Sequence, residues 1–264
     1  MTYVILLCRP SHAALGDVIT IWAAPGWGSR GLAWDGTNLW HSDAGTDLIY
    51  KLNPADGSVI SSFAAPNINS DDLTFVGSDL WNVDLFSRTF YSVNPAVGPP
   101  WTAEFSKPSN DYGGLTYDGA NLWSADFIDN NIAKMDLSGN VLSSFPAPGP
   151  GGGSSGLAWD GTYLWNTDAT SDMVYKIDPS TGNVLASFPT PGFDSTGLTF
   201  DGQYLWGADF SGAIYQLDAG YAAPVGPTPA PPGIVSMLTM LASLGGWAGL
   251  GRLRGRIRKA KHST

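Results

Sequence analysis

A thirteen-residue phrase recurs five times along this chain and limits what it can fold into more than any other feature. The copies are GLAWDGTNLWHSD (31–43), DLTFVGSDLWNVD (72–84), GLTYDGANLWSAD (114–126), GLAWDGTYLWNTD (156–168) and GLTFDGQYLWGAD (197–209). Their starts lie 41, 42, 42 and 41 residues apart. A period of about 40 residues, made of short apolar runs and glycine-rich turns, belongs to propeller blades, each a four-stranded sheet that needs its neighbours to bury its faces.

Alternation of apolar and polar residues divides each copy into strands. In the fourth copy, Gly156 to Trp159 reads as an inner strand and Asp160-Gly161 as the start of a hairpin turn. Tyr163 to Thr167 and Met173 to Ile177 follow as second and third strands. A Pro-containing turn at 178–182 then leads to an outer strand, Val184 to Phe188. Glycine suits both turns because it takes positive φ without steric cost. The strand count fixes the architecture. A lone outer-strand segment, 17–25, precedes the first copy, whereas the last copy ends after its third strand, 213–218. The expected fold is therefore an all-β, five-bladed β-propeller of four-stranded antiparallel blades over 17–220, closed by the N-terminal strand pairing into the last blade. Closure removes the unpaired edges that would otherwise template aggregation.

Charge is divided unevenly. Residues 17–220 hold all 23 acids of the chain against six bases, a net of −17, while 252–264 carry six bases and no acid. An acidic body repels nucleic acid, whose recognition depends on Lys and Arg meeting phosphate, so no nucleic-acid partner is expected. Ahead of the basic run, residues 233–251 form 19 positions without a charge. As a helix at about 1.5 Å per residue they would span roughly 28 Å, close to the apolar thickness of a bilayer. The expectation is one transmembrane or sorting helix, with the basic 252–264 as a cytoplasmic tail and the propeller outside. Residues 221–232 read as a stiff Pro-rich linker.

A short Pro-rich motif, one apolar helix and a terminal Arg/Lys cluster resemble the PEP-CTERM sorting signal of Gram-negative exoproteins, and GWAGLGRLRGRIRK (246–259) looks like the end of such a tail. The resemblance implies a sorting transpeptidase as partner, although Pro-Thr-Pro-Ala-Pro-Pro stands where that family has Pro-Glu-Pro. Residues 1–14, with a short apolar core at 3–8 and Ser-His-Ala-Ala at 11–14, read as a truncated signal peptide. Its Cys8 is the only cysteine. The expected location is exported, anchored in the bacterial inner membrane or displayed at the cell surface.

Two sets of repeated residues are candidates for chemistry. Trp40, Trp81, Trp123, Trp165 and Trp206 read as core between blades, with stacking platforms for sugar rings as the functional alternative. Asp43, Asp84, Asp126, Asp168 and Asp209 end every second strand. The structural expectation is that each accepts N–H groups from the loop opening an inner strand; the sharper one is a Ca²⁺ held by oxygen ligands. Ligand-binding candidates come from the loops, where the copies differ: Trp27, Arg30, Asp71, Arg88, Tyr112, Phe193 and Asp194.

The copies also resemble bacterial extracellular propellers of the quinoprotein-dehydrogenase-like and YVTN type and, more loosely, the five-bladed glutaminyl cyclotransferases. Enzymes among such propellers use a channel carboxylate, often Glu. Here the sole Glu104 falls on an outer strand, and His41 is the only histidine of the array. These residues point to a membrane-anchored, cell-surface propeller acting as a non-enzymatic binding or structural module for exopolysaccharide or an envelope protein. The alternatives are a cyclotransferase-like enzyme or hydrolase using channel aspartates, and a multivalent lectin.

Overall fold

The structure is a computed structural model and describes residues 13–106 and 112–221. The apolar core of the expected leader, the 233–251 helix and the basic tail lie outside the described residues. Among those described, no helix is long and apolar enough to cross a membrane.

Twenty strands form five four-stranded antiparallel sheets. The chain opens with β1 (Val18–Ala23) and continues into blade 1: β2 (Ser29–Trp34), β3 (Leu39–Asp43), β4 (Leu48–Leu52) and β5 (Val59–Ala64). Blade 2 holds β6 (Ser70–Val76), β7 (Asp79–Asp84), β8 (Thr89–Val93) and β9 (Thr102–Ser106). Blade 3 holds β10 (Tyr112–Tyr117), β11 (Leu122–Asp126), β12 (Asn131–Met135) and β13 (Val141–Pro146). Blade 4 follows with β14 (Ser154–Trp159), β15 (Leu164–Asp168), β16 (Met173–Ile177) and β17 (Val184–Pro189). Blade 5 has β18 (Ser195–Phe200), β19 (Tyr204–Asp209) and β20 (Ala213–Asp218), and its fourth strand is β1. Ile21 faces Tyr215, Trp22 faces Ile214 and Ala23 faces Ala213, so the ring closes by pairing its two ends, as the strand count requires.

The five tryptophans are buried and belong to clusters that each join neighbouring blades. Trp206 of blade 5, for example, packs with Leu32, Leu39 and Leu52 of blade 1, and its ring centroid lies 4.8 Å from that of Trp22. At about 25 cal/mol per Å² and 150 to 250 Å² per indole, each burial contributes about 4 to 6 kcal/mol before entropic costs. The Asp-Gly turn also orients the indole: Trp40, Trp123, Trp165 and Trp206 donate Nε1–H to Asp35, Asp118, Asp160 and Asp201 at 2.8, 2.9, 2.7 and 2.8 Å. In the second copy Val76 stands at the position of that aspartate.

The inner strands converge so tightly on the axis that the first motif residue has no room for a side chain in four copies. A Cβ at Gly156 would lie 2.6 Å from Leu198 N, and at Gly31, Gly114 and Gly197 it would overlap backbone of the next blade. The second copy has Asp72 there instead, and its buried carboxylate spans the centre of the ring. Oδ1 accepts N–H from Leu32 (3.1 Å) and Leu73 (2.9 Å), and Oδ2 accepts from Leu115 (2.8 Å) and Leu157 (3.4 Å). One side chain therefore ties the inner strands of four blades. Burial pushes its carboxyl well above the ordinary 3.8, with the N–H donors acting in the opposite sense.

In four blades the residue two places after the second-strand leucine supports this centre from behind, while blade 5 has Gly207 there. His41 Nδ1 lies 3.2 Å from Gly31 O, Asn82 donates to Asp72 O (3.1 Å), Ser124 to Gly114 O (2.8 Å) and Asn166 to Gly156 O (3.1 Å).

Candidate functional site

One residue earlier on the inner strands the ring opens into a cavity of about 420 Å³ at the mouth of the axis. All five blades contribute inner-strand residues to it, namely Arg30, Asp71, Gly113, Ser155 and Thr196. The loops after the second strands add an apolar wall, with Leu85, Phe127, Ile128 and Phe210 as its larger side chains, and Asp194 stands on the rim. The repeat geometry itself collects these residues, because equivalent positions of a closed ring face the same axis.

Most hydroxyls on the floor are engaged by the fold. Ser155 Oγ donates to Ser195 O (2.5 Å), Thr196 Oγ1 to Arg30 O (3.0 Å), and Ser42 Oγ to Asp71 O, each bond joining one blade to the next. Among the described residues, no serine there is poised beside a base as a nucleophile would have to be. What the floor leaves for a ligand is charged. Asp71 is only 6% exposed, lines the cavity, and its carboxylate accepts no hydrogen bond from any described residue. Burial pushes its carboxyl up to about 7, opposed by the nearby Arg30 and assisted by Asp84. The Arg30 guanidinium lies 4.5 Å from the centroid of the Phe210 ring, an arrangement that holds it at the wall by cation–π attraction.

Of the loop candidates, the structure brings Arg30, Asp71 and Asp194 into one cavity. Trp27 (76% exposed) packs over Gly45 of the β3–β4 loop, and Phe193 (76% exposed) points outward. Arg88 lies in the β7–β8 loop at φ 54° and does not line the cavity, and Tyr112 opens β10 opposite Asp126. The strand-ending aspartates are buried, and most of their bonds go to the loop that follows their own strand rather than to the one opening an inner strand. Asp43 Oδ1 accepts N–H from Gly45 (3.0 Å) and Thr46 (2.7 Å), Asp84 from Ser87 (2.7 Å), Asp126 from Ile128 (2.9 Å) and Asp129 (2.7 Å), and Asp168 from Ser171 (2.7 Å). Asp43 also shows the expected bond, from Gly28 N (2.9 Å). Burial raises the Tyr215 pKa, and the hydroxyl's hydrogen bond to Asp209 raises it further. Among the described residues no group of three His, Cys, Asp or Glu is placed to hold a metal ion.

Sequence reasoning passed over Asp72, Gly113, Ser155 and Thr196. For Asp72 the signal was present, since it is the single departure from glycine at the first motif position. Gly113, Ser155 and Thr196 carry no signal of their own, because only the closed ring turns one ordinary position per copy into the floor of a cavity.

No protein-family model matches the sequence, and no curated protein matches it. Solved structures match it in fold. The glutaminyl cyclase of Myxococcus xanthus superimposes with a TM-score of 0.64 at 14% identity, over 77% of this chain and 96% of that one. The calcium-binding protein regucalcin from Agrobacterium tumefaciens gives 0.54 at 15% identity, over 76% and 92%. A chain of the nidogen/laminin complex gives 0.52 at 17%, over 69% and 72%. An enzyme, a calcium-binding protein and a protein complex thus share the architecture, and at these identities the likeness establishes the propeller and nothing about activity.

Proposed function

We propose that the protein is a ligand-binding propeller that works through its axial cavity, taking a small molecule or chain end that presents an amine to Asp71 and an apolar body to the Phe127–Ile128–Phe210 wall. One observation carries this: a carboxylate buried to 6% exposure faces an open cavity without a hydrogen-bond partner among the described residues. Such a group costs stability unless something outside the fold satisfies it, and unpaired buried charge is found where a ligand supplies the partner. Arg30, across the same floor, would take an acceptor on that ligand. The test is a thermal-shift screen of the full chain at pH 7.5 against primary amines, amino acids and short peptides. Amine-bearing compounds should stabilise the parent and not Asp71→Asn; equal stabilisation of both would refute the assignment.

Catalysis is the second reading, favoured by the Asp71 carboxyl at about 7, where a group can both take and return a proton at neutral pH. Since a structural neighbour is a glutaminyl cyclase, cyclisation of peptides with N-terminal glutamine is the reaction to assay. A rate that rises through pH 7 and disappears in Asp71→Asn would establish it; ligand binding without turnover would leave the binding module.

The proposed setting is extracytoplasmic, tethered by residues 233–251, with an exopolysaccharide or envelope protein in contact and a sorting transpeptidase acting on the tail. Support comes from the acidic body, the uncharged 19-residue stretch and the basic run that follows it. Protease added to intact cells should digest the propeller; full protection would overturn the orientation.

A further inference from the structure

Away from the axis, three blades carry the same ion pair at the same place. Lys51 meets Asp35 and Lys134 meets Asp118, each at 3.1 Å, and Lys176 meets Asp160 at 3.6 Å. In every case the aspartate also holds the indole N–H of its blade, and the ammonium lies about over that indole, 5.1, 5.1 and 4.8 Å from the ring centroid. The next blade supplies an aromatic wall: Phe75, Trp159 and Phe200 respectively. The other two blades break the pattern, with Ser92 and Gln216 in place of the lysine.

Two of these three grooves are open cavities, about 590 Å³ between blades 1 and 2 and about 280 Å³ between blades 3 and 4. The third is filled by the chain itself. After β20 the chain does not turn into an outer strand, because β1 already occupies that place, and Tyr221 enters the groove between blades 4 and 5. Its hydroxyl donates to Asp160 Oδ2 and accepts from Lys176 Nζ at 3.3 Å. Its ring packs 5.3 Å from Phe200 and lies 5.0 Å from the Lys176 ammonium. The Asp160 side chain is 0% exposed under this cover, against 16% for Asp35 and 9% for Asp118 in the open grooves.

The geometry points to the two open grooves as binding sites for a tyrosine side chain of a partner peptide, recognised as Tyr221 is recognised in the third. The chemistry is specific. A phenol hydroxyl can donate to the carboxylate and accept from the ammonium at once, while its ring fills the gap between the indole–lysine stack and the facing aromatic. Phenylalanine satisfies only the second half of that demand. No described residue of the chain enters either open groove, so their occupant comes from another molecule or from outside the described residues.

The probe is the peptide acetyl-Tyr-Ala-Ala-Pro-amide, which copies residues 221–224, titrated into the full-length chain by calorimetry with tryptophan fluorescence as a second readout. Two peptides should bind per chain. A Phe analogue should bind about tenfold or more weakly, as loss of a hydrogen bond to charged groups implies. The double variant Lys51→Gln/Lys134→Gln, which copies the glutamine that blade 5 uses naturally, should abolish binding, and Tyr221→Ala should raise the stoichiometry to three. The Phe comparison uses the unaltered protein and so is immune to a folding defect in a variant. No binding at millimolar peptide, equal binding of the Phe analogue, or full binding by the double lysine variant would overturn the proposal. So would binding of a sugar such as cellobiose in these grooves while the peptide fails, which would assign them to glycan.

Discussion

Replacing Asp71 by Asn should stabilise this protein while destroying the function of its axial cavity, and the size of the effect follows from burial. The Asp71 carboxyl sits at about 7 in the folded ring against an ordinary 3.8. Below pH 4 it is protonated in both folded and unfolded chains, and the substitution is neutral. Between pH 4 and 7 the unfolded chain releases the proton and the folded chain keeps it, so the parent loses stability as pH rises. Above 7 the loss is complete: about 3 units at 1.36 kcal/mol each, or on the order of 4 kcal/mol. For a propeller of this size that corresponds to a rise in Tm of about 10 °C at pH 8, shrinking to almost nothing at pH 4. Thermal and urea denaturation of the full chain and of Asp71→Asn at pH 4, 5, 6, 7 and 8 would measure it. A gap that does not vary with pH, or a parent more stable than the variant at pH 8, would show that Asp71 is satisfied within the fold and has no need of a ligand.

Three further outcomes are expected. Asp72→Ala removes one acceptor and leaves the N–H groups of Leu32, Leu73, Leu115 and Leu157 unpaired at the axis, which at about 1 kcal/mol or more each should lower stability by about 4 kcal/mol in urea titration. Unchanged stability would mean that water replaces the carboxylate without cost. Burial depresses the His41 imidazole to about 4 from 6.5, so the parent should lose on the order of 3 kcal/mol as pH falls from 6.5 toward 4. His41→Asn, which copies Asn82 and Asn166, should remove that part of the acid sensitivity, and identical pH profiles would refute the assignment. Gly114→Ala places a methyl against Ser155 O and should destabilise by several kcal/mol or prevent folding, visible as loss of the cooperative melt.

Much of this molecule was written in its sequence, for a definite reason. A blade is a local unit: alternating residues, glycine turns and an indole at one fixed place in every copy suffice to define it, and five copies at a steady spacing leave only one way to bury those five indoles. Even the closure by residues 18–23 follows from counting strands. The burial of Trp40, Trp81, Trp123, Trp165 and Trp206 follows likewise, since an indole at the same place in every copy is the largest apolar group of each second strand. The sites were not legible in the same way. Arg30, Asp71, Ser155 and Thr196 lie up to 166 residues apart and meet only because a ring carries equivalent positions to one axis. The desolvation that shifts Asp71 is likewise a property of the closed mouth and of no local stretch of chain. Tyr221 follows the last repeat as an unremarked residue, and only packing shows that it fills a groove whose two counterparts stand open. Periodicity along a chain reports what each segment must bury, whereas charge and vacancy at a shared axis depend on which distant segments surround them, and that the tertiary structure alone decides.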